Sequence, residues 1–174
     1  MKRVILASLF LAGTCCVCAA DELLKNPGFE SGDFSGWDVK GNGWSVSDRS
    51  PSEGLRCAVC TVKTGDGRGV RVCLQKIGSV QSGRIVEVSL DVAAAGVAES
   101  PNSKASVVVL CAGANKEYRA SVVRPGAKFQ QIKIDDAVVL PGTSDIYVML
   151  LVEVYQVATD DDVWRFDHVD VRIK

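Results

Sequence analysis

Of the 174 residues only one, His168, is a histidine, and aromatic side chains make up just 6% of the chain. No excess of either charge sign exists: the formal net charge is -1 and the sequence pI about 5.8. That balance removes the electrostatic footprint expected of a nucleic-acid or anionic-membrane binder. A lone histidine between Asp167 and Asp170 could join a triad only with a nucleophile elbow or an oxyanion loop, and the sequence shows neither. Long apolar runs are also missing. The longest one after the first twenty residues, Ile146 to Val154, is broken by Glu153, so no membrane span is expected. No segment has a convincing helical period, and there is no internal repeat or low-complexity linker.

What is present is strand and turn. Hydrophobic residues at 47% and charged residues at 24% describe an ordinary globular chain, long enough for one buried core. Lys2 and Arg3, the short apolar run Val4 to Ala12, and Cys18-Ala19-Ala20 before Asp21 read as an export signal over residues 1–20, cleaved near Ala20. Leu11-Ala12-Gly13 leads toward Cys15 but fits a lipid-attachment box poorly. Cleavage leaves Cys57, Cys60, Cys73 and Cys111, which are either disulfide partners or buried thiols.

Arg84 to Val92 alternates, with Val86, Val88, Leu90 and Val92 on one face and Glu87, Ser89 and Asp91 on the other. Leu55 to Val62 and Val70 to Ile77 read as strands of a hairpin about Asp66-Gly67, which would set Cys60 opposite Cys73. Ala105 to Ala112, Glu117 to Val123, Phe129 to Leu140, Asp145 to Val154 and Val163 to Ile173 complete nine or ten short strands between regular turns. The fold expected is one all-β domain over residues 21–174, a jelly-roll β-sandwich of two antiparallel sheets.

Two terminal stretches organise this domain. Leu23 to Trp37 starts with a short apolar strand (Leu23, Leu24). The turn Asn26-Pro27-Gly28 follows, with glycine free to take a positive φ, and then Phe29, Glu30 and, later, Trp37. Trp164 to Val171 closes the chain. Glu30 and Asp167 are expected to meet and share a cation. Asp160-Asp161-Asp162 reads as a solvated turn.

The opening Leu24-Lys25-Asn26-Pro27-Gly28-Phe29-Glu30 with Trp37, and the closing Phe166-Asp167-His168-Val169-Asp170-Val171, resemble family 4/9 carbohydrate-binding modules. The resemblance covers nearly the whole mature chain. It implies a galactose-binding-like jelly roll that is secreted, non-catalytic and binds a polysaccharide or glycan across its concave sheet. It also implies a structural calcium held by the Gly28 and Arg56 carbonyls and the carboxylates of Glu30, Glu53 and Asp167, donors of the hard-oxygen type calcium takes. The hairpin loop that would carry a stacking aromatic reads Gly67-Arg68-Gly69. That leaves Tyr147, Glu153 and Tyr155, on the face of their strand opposite its core residues, as the expected ligand contacts. A structural or protein-binding domain of the same fold is the alternative.

Overall fold

The computed structural model describes residues 23–95, 102–122 and 126–174; the expected leader lies outside them. Ten strands form: β1 Asp38–Lys40, β2 Trp44–Ser47, β3 Cys57–Val62, β4 Gly69–Gly78, β5 Ile85–Ala95, β6 Ser103–Ala112, β7 Lys116–Ser121, β8 Gln130–Val138, β9 Asp145–Val154 and β10 Asp162–Ile173. They pair into two five-stranded antiparallel sheets, a first of order β1-β4-β9-β6-β7 and a second of order β2-β3-β10-β5-β8. No described residue is helical, and no helix is long and apolar enough to cross a membrane. This is a jelly-roll sandwich.

Alternation decides which side chains fill it. Val86, Val88, Leu90 and Val92 of β5 are buried, as are Ile146, Val148, Leu150, Val152 and Val154 of β9. Their facing rows, with Phe29, Trp164 and Phe166, make one core. Burial of apolar rows on one face of each sheet is the main favourable term holding two such sheets together.

The expected hairpin does not form. β3 pairs with β2 and β10 in the second sheet, whereas β4 pairs with β1 and β9 in the first. The loop 63–68 therefore crosses between sheets instead of reversing within one. Asp66 anchors the crossing: its carboxylate accepts from the Lys63 N–H (2.7 Å) and pairs with the buried Arg71 guanidinium (2.5 Å). Arg71 also donates to the Thr61 carbonyl (2.5 Å), tying the end of β3 to the start of β4. Cys60 and Cys73 thus come from opposite sheets. All four described cysteines are free and buried.

Leu23 and Leu24 form no strand either. A side chain does the work of a ladder there: Gln75 accepts from the Lys25 N–H (2.6 Å) and donates to the Lys25 carbonyl (2.9 Å). That double bond seats the opening segment on β4 and buries Leu24. The acidic run is not uniformly solvated. Asp161 is exposed, but Asp162 points inward, 1% exposed, and accepts from the Ser103 hydroxyl (2.6 Å), linking the two sheets.

Candidate functional site

The two chain ends do meet. The Val169 N–H donates to the Pro27 carbonyl (3.2 Å), laying the opening turn on the last strand. Positive φ in this turn falls on Asn26 (52°) and Phe29 (60°), not on Gly28. An asparagine tolerates that region, and here its side chain caps the next turn by accepting from the Ser31 N–H (3.1 Å). A phenylalanine at positive φ is strained. Complete burial of its ring holds it there, against Trp37 (5.4 Å between centroids) and Phe34 (5.9 Å).

Strain in the Phe29 backbone aims the next side chain. Glu30 reaches the loop before β3, where its carboxylate accepts from the Leu55 N–H (3.0 and 3.1 Å) and the Arg56 N–H (3.1 Å). The Arg56 guanidinium donates to the Glu30 carbonyl instead (2.7 Å). From the other end, a β-bulge between Asp167 and Asp170 interrupts the β10–β5 register. Asp167 there is 1% exposed. Its Oδ2 accepts from the Ser52 N–H (2.7 Å), the Ser52 hydroxyl (3.0 Å) and the Glu53 N–H (3.1 Å), and Oδ1 accepts from the His168 N–H (2.8 Å).

These groups border a cavity of about 390 Å³. A Cβ placed on Gly28 would sit 3.7 Å from Asp167 Oδ1 and 4.0 Å from Glu30 Oε1, so both carboxylates face the spot that glycine leaves clear. Asp91 lies directly opposite Asp167 across β5 and β10, adding like charge beside it. Opposed carboxylates on neighbouring strands destabilise each other unless a cation intervenes. Glu53 lines the cavity too, and its carboxylate meets Nδ1 of His168, another of the lining residues. Among the described residues, no three His, Cys, Asp or Glu side chains are grouped so as to hold a metal ion. Four expected donor positions, Gly28, Glu30, Arg56 and Asp167, are brought together around this pocket or its loop; Glu53 borders it but is committed to His168.

The expected ligand residues do not converge. Tyr147 and Glu153 lie near opposite ends of β9, and Tyr155 lies just past its end, 47% exposed. Tyr147 and Tyr155 are eight positions apart along extended chain, about 27 Å. Burial, and next the Asp162 carboxylate, push the Tyr155 hydroxyl above its usual pKa. Glu153 is held by Arg119 of β7 (2.7 Å), whose side chain reaches across the intervening β6. Between these ends the same face carries Met149 and Leu151, beside Val72 and Leu74 of β4 and Val108 and Leu110 of β6. Val108 and Leu151 are buried although they lie opposite the core rows, while the other four are half-buried. The sequence reading missed Arg119 and Asp91, because each matters only through a partner on another strand.

No protein-family model matches this chain, and no curated protein matches it. Solved structures do, several of them carbohydrate-binding modules. A family 61 module in complex with β-1,4-galactotriose is 19% identical, covers 88% of this chain and 99% of its own, and superposes with a TM-score of 0.67. A family 4 module is 12% identical over 80% of this chain and 96% of its own, with a TM-score of 0.56. A Stig cyclase from Fischerella sp., in complex with (3Z)-3-(1-methyl-2-pyrrolidinylidene)-3H-indole, is 14% identical over 87% and 96%, with a TM-score of 0.60. At these identities the likeness is one of fold, and the fold is that of carbohydrate-binding modules and also of some enzyme domains.

Proposed function

We propose that this is an exported, non-catalytic glycan-binding domain whose ligand lies on the outer face of the first sheet. The observation carrying the reading is that face itself. A sheet turned away from the core should be polar in a solitary domain, yet its three central strands present half-buried apolar side chains. The sandwich that presents it has carbohydrate-binding modules as structural neighbours. Tyr147 at one end and Tyr155 at the other would give flat apolar rings to sugar C–H faces, and Glu153 would accept from sugar hydroxyls once released by Arg119. Screening against a glycan array, with retention on the matching polysaccharide gel, tests the reading. Tyr155→Ala is expected to reduce retention with the melting transition unchanged; equal retention would remove Tyr155 from the site. Export is checked by mass spectrometry of the mature protein, expected to begin at Asp21.

Calcium belongs to the same proposal. Glu30 and Asp167, with the Gly28 and Arg56 carbonyls, would hold it, and Glu53 would join them by leaving His168. The ion would supply positive charge between the chain ends, a structural role. The donor set fits: hard oxygens on rigid turns, with like charges already facing each other. A matrix or protein-binding domain of the same fold is the second reading, favoured by the aliphatic rather than aromatic floor; self-association without glycan retention would support it.

A further inference from the structure

We infer, resting on the glycan-binding reading, that Arg119 makes the outer face of the first sheet prefer glycans bearing uronic-acid carboxylates, by exchanging Glu153 for the ligand while Lys104 takes Glu153 over. The register carries the argument. Glu153 of β9 lies directly opposite Lys104 of β6, where opposite charges stabilise a sheet. Glu153 does not take that partner. Its carboxylate meets Nη1 of Arg119 (2.7 Å), two strands away, and Lys104 is exposed with no ion pair among the described residues. Arg119 lies opposite Val108, so the line from Arg119 to Glu153 crosses β6 diagonally over Ser106, itself opposite Leu151. Ser106, Val108 and Leu151 are all buried, although they lie on the outer face. The Arg119–Glu153 pair is a strap across this face, and a ligand settling there must open it.

Opening the strap costs little. Its side chains are 34% and 30% exposed, a setting in which ion pairs are weak. Glu153 keeps a cation by turning to Lys104 across the ladder, and its carboxylate retains lone pairs for sugar hydroxyls. Arg119 is then left with Nη1 vacant, while its Nη2 stays 3.7 Å from Glu117. A neutral glycan gives that vacated donor no charged partner. A sugar carboxylate fills it with a charge-assisted hydrogen bond of the kind guanidinium groups favour. Two ion pairs then stand where there was one. Tyr155, two residues beyond Glu153, is placed to take the ring of the same sugar. One added, partly exposed ion pair corresponds to about fivefold tighter binding.

The experiment titrates the mature chain calorimetrically with glucuronoxylan and polygalacturonate, each before and after reduction of its carboxyl groups to primary alcohols, beside the glycan array. About fivefold tighter binding to at least one carboxylate form is expected at low ionic strength, shrinking as salt is added. Arg119→Gln should abolish the difference. Lys104 acts through Glu153, as a positioning residue: Lys104→Gln should shrink the preference and Lys104→Arg restore it, with the melting temperature unchanged in both. A preference that survives Arg119→Gln overturns the assignment to Arg119, and one indifferent to Lys104→Gln overturns the exchange. Equal binding before and after reduction, or array binding to neutral glycans alone, overturns the inference and leaves the glycan reading standing. No binding to either polysaccharide or on the array removes that reading, and the inference with it.

Discussion

Asp167 and Ser52, 115 residues apart in the chain, are joined twice: the carboxylate accepts from both the Ser52 N–H (2.7 Å) and the Ser52 hydroxyl (3.0 Å). With the Glu53 N–H (3.1 Å) as a third donor, one oxygen of the last strand fixes the loop that leads into β3. Asp167→Ala strips the acceptor from these donors, and leaving such groups unpaired costs about 1–3 kcal/mol. A lower urea midpoint with unchanged m-value is the expected result. Asp167→Asn, which keeps one oxygen, should cost less.

The calcium proposal predicts a stability response. An ion that binds only the folded chain adds about 2.7 kcal/mol at a hundredfold excess over its dissociation constant. Chelation should therefore lower the melting temperature of the wild type and leave that of Asp167→Ala unmoved. A wild-type curve indifferent to both chelator and added calcium, with no metal found by elemental analysis, would falsify the site.

Gly54 offers a test of the same pocket from the glycine side. Its φ is +63°, and a Cβ there would lie 2.3 Å from Glu30 Oε1. Gly54→Ala must adopt a strained backbone and push the Glu30 carboxylate off the Leu55 and Arg56 N–H groups. The combined cost should be about 1–3 kcal/mol, read by chemical denaturation, with any calcium response weakened in parallel. Gly28→Ala, where the nearest oxygen is 3.7 Å away, should cost far less in stability.

Acid should unfold the loops before the core. Hydrogen bonds from the Ser31 and Ser35 hydroxyls hold Asp33 down at about 2, and the Thr64 N–H and Lys63 do the same for Asp161. The Lys63 N–H, and next Arg71, lower Asp66 as well. Each folded-state value lies below the unfolded one. The stability these groups contribute is complete above about pH 4 and disappears as the pH falls toward 2. Melting temperatures recorded between pH 5 and pH 2 should fall across that window, and more gently in Asp66→Asn. A flat profile would sink the claim.

The cysteines should be silent. Burial pushes the thiols of Cys57 and Cys60 up to about 11, and raises that of Cys73 too. Thiolate is the reactive form, so Cys57, Cys60, Cys73 and Cys111 should resist iodoacetamide at neutral pH in the native protein and react after denaturation. The same labelling pattern with and without reductant is expected; a reductant-dependent gain would reveal a disulfide.

Much of this protein can be read along the chain. Alternation in Arg84 to Val92 and in Asp145 to Val154 determined which side chains meet in the core, because a strand sends successive residues to opposite faces whatever lies beside it. The approach of the two chain ends, which puts Glu30 and Asp167 on one cavity, was legible from the turn and closing motifs. Strand partners were not. Asp66-Gly67 has the chemistry of a tight hairpin, yet the buried Arg71–Asp66 pair and the pull of β9 and β10 took β4 and β3 into different sheets. A two-residue turn preference is worth far less than the apolar rows those pairings bury. Tertiary structure alone put Asp91 opposite Asp167, drew Arg119 over β6 to Glu153, turned Asp162 inward, and set Glu53 on His168. Each depends on register between strands distant in sequence, and local residue patterns carry no record of register.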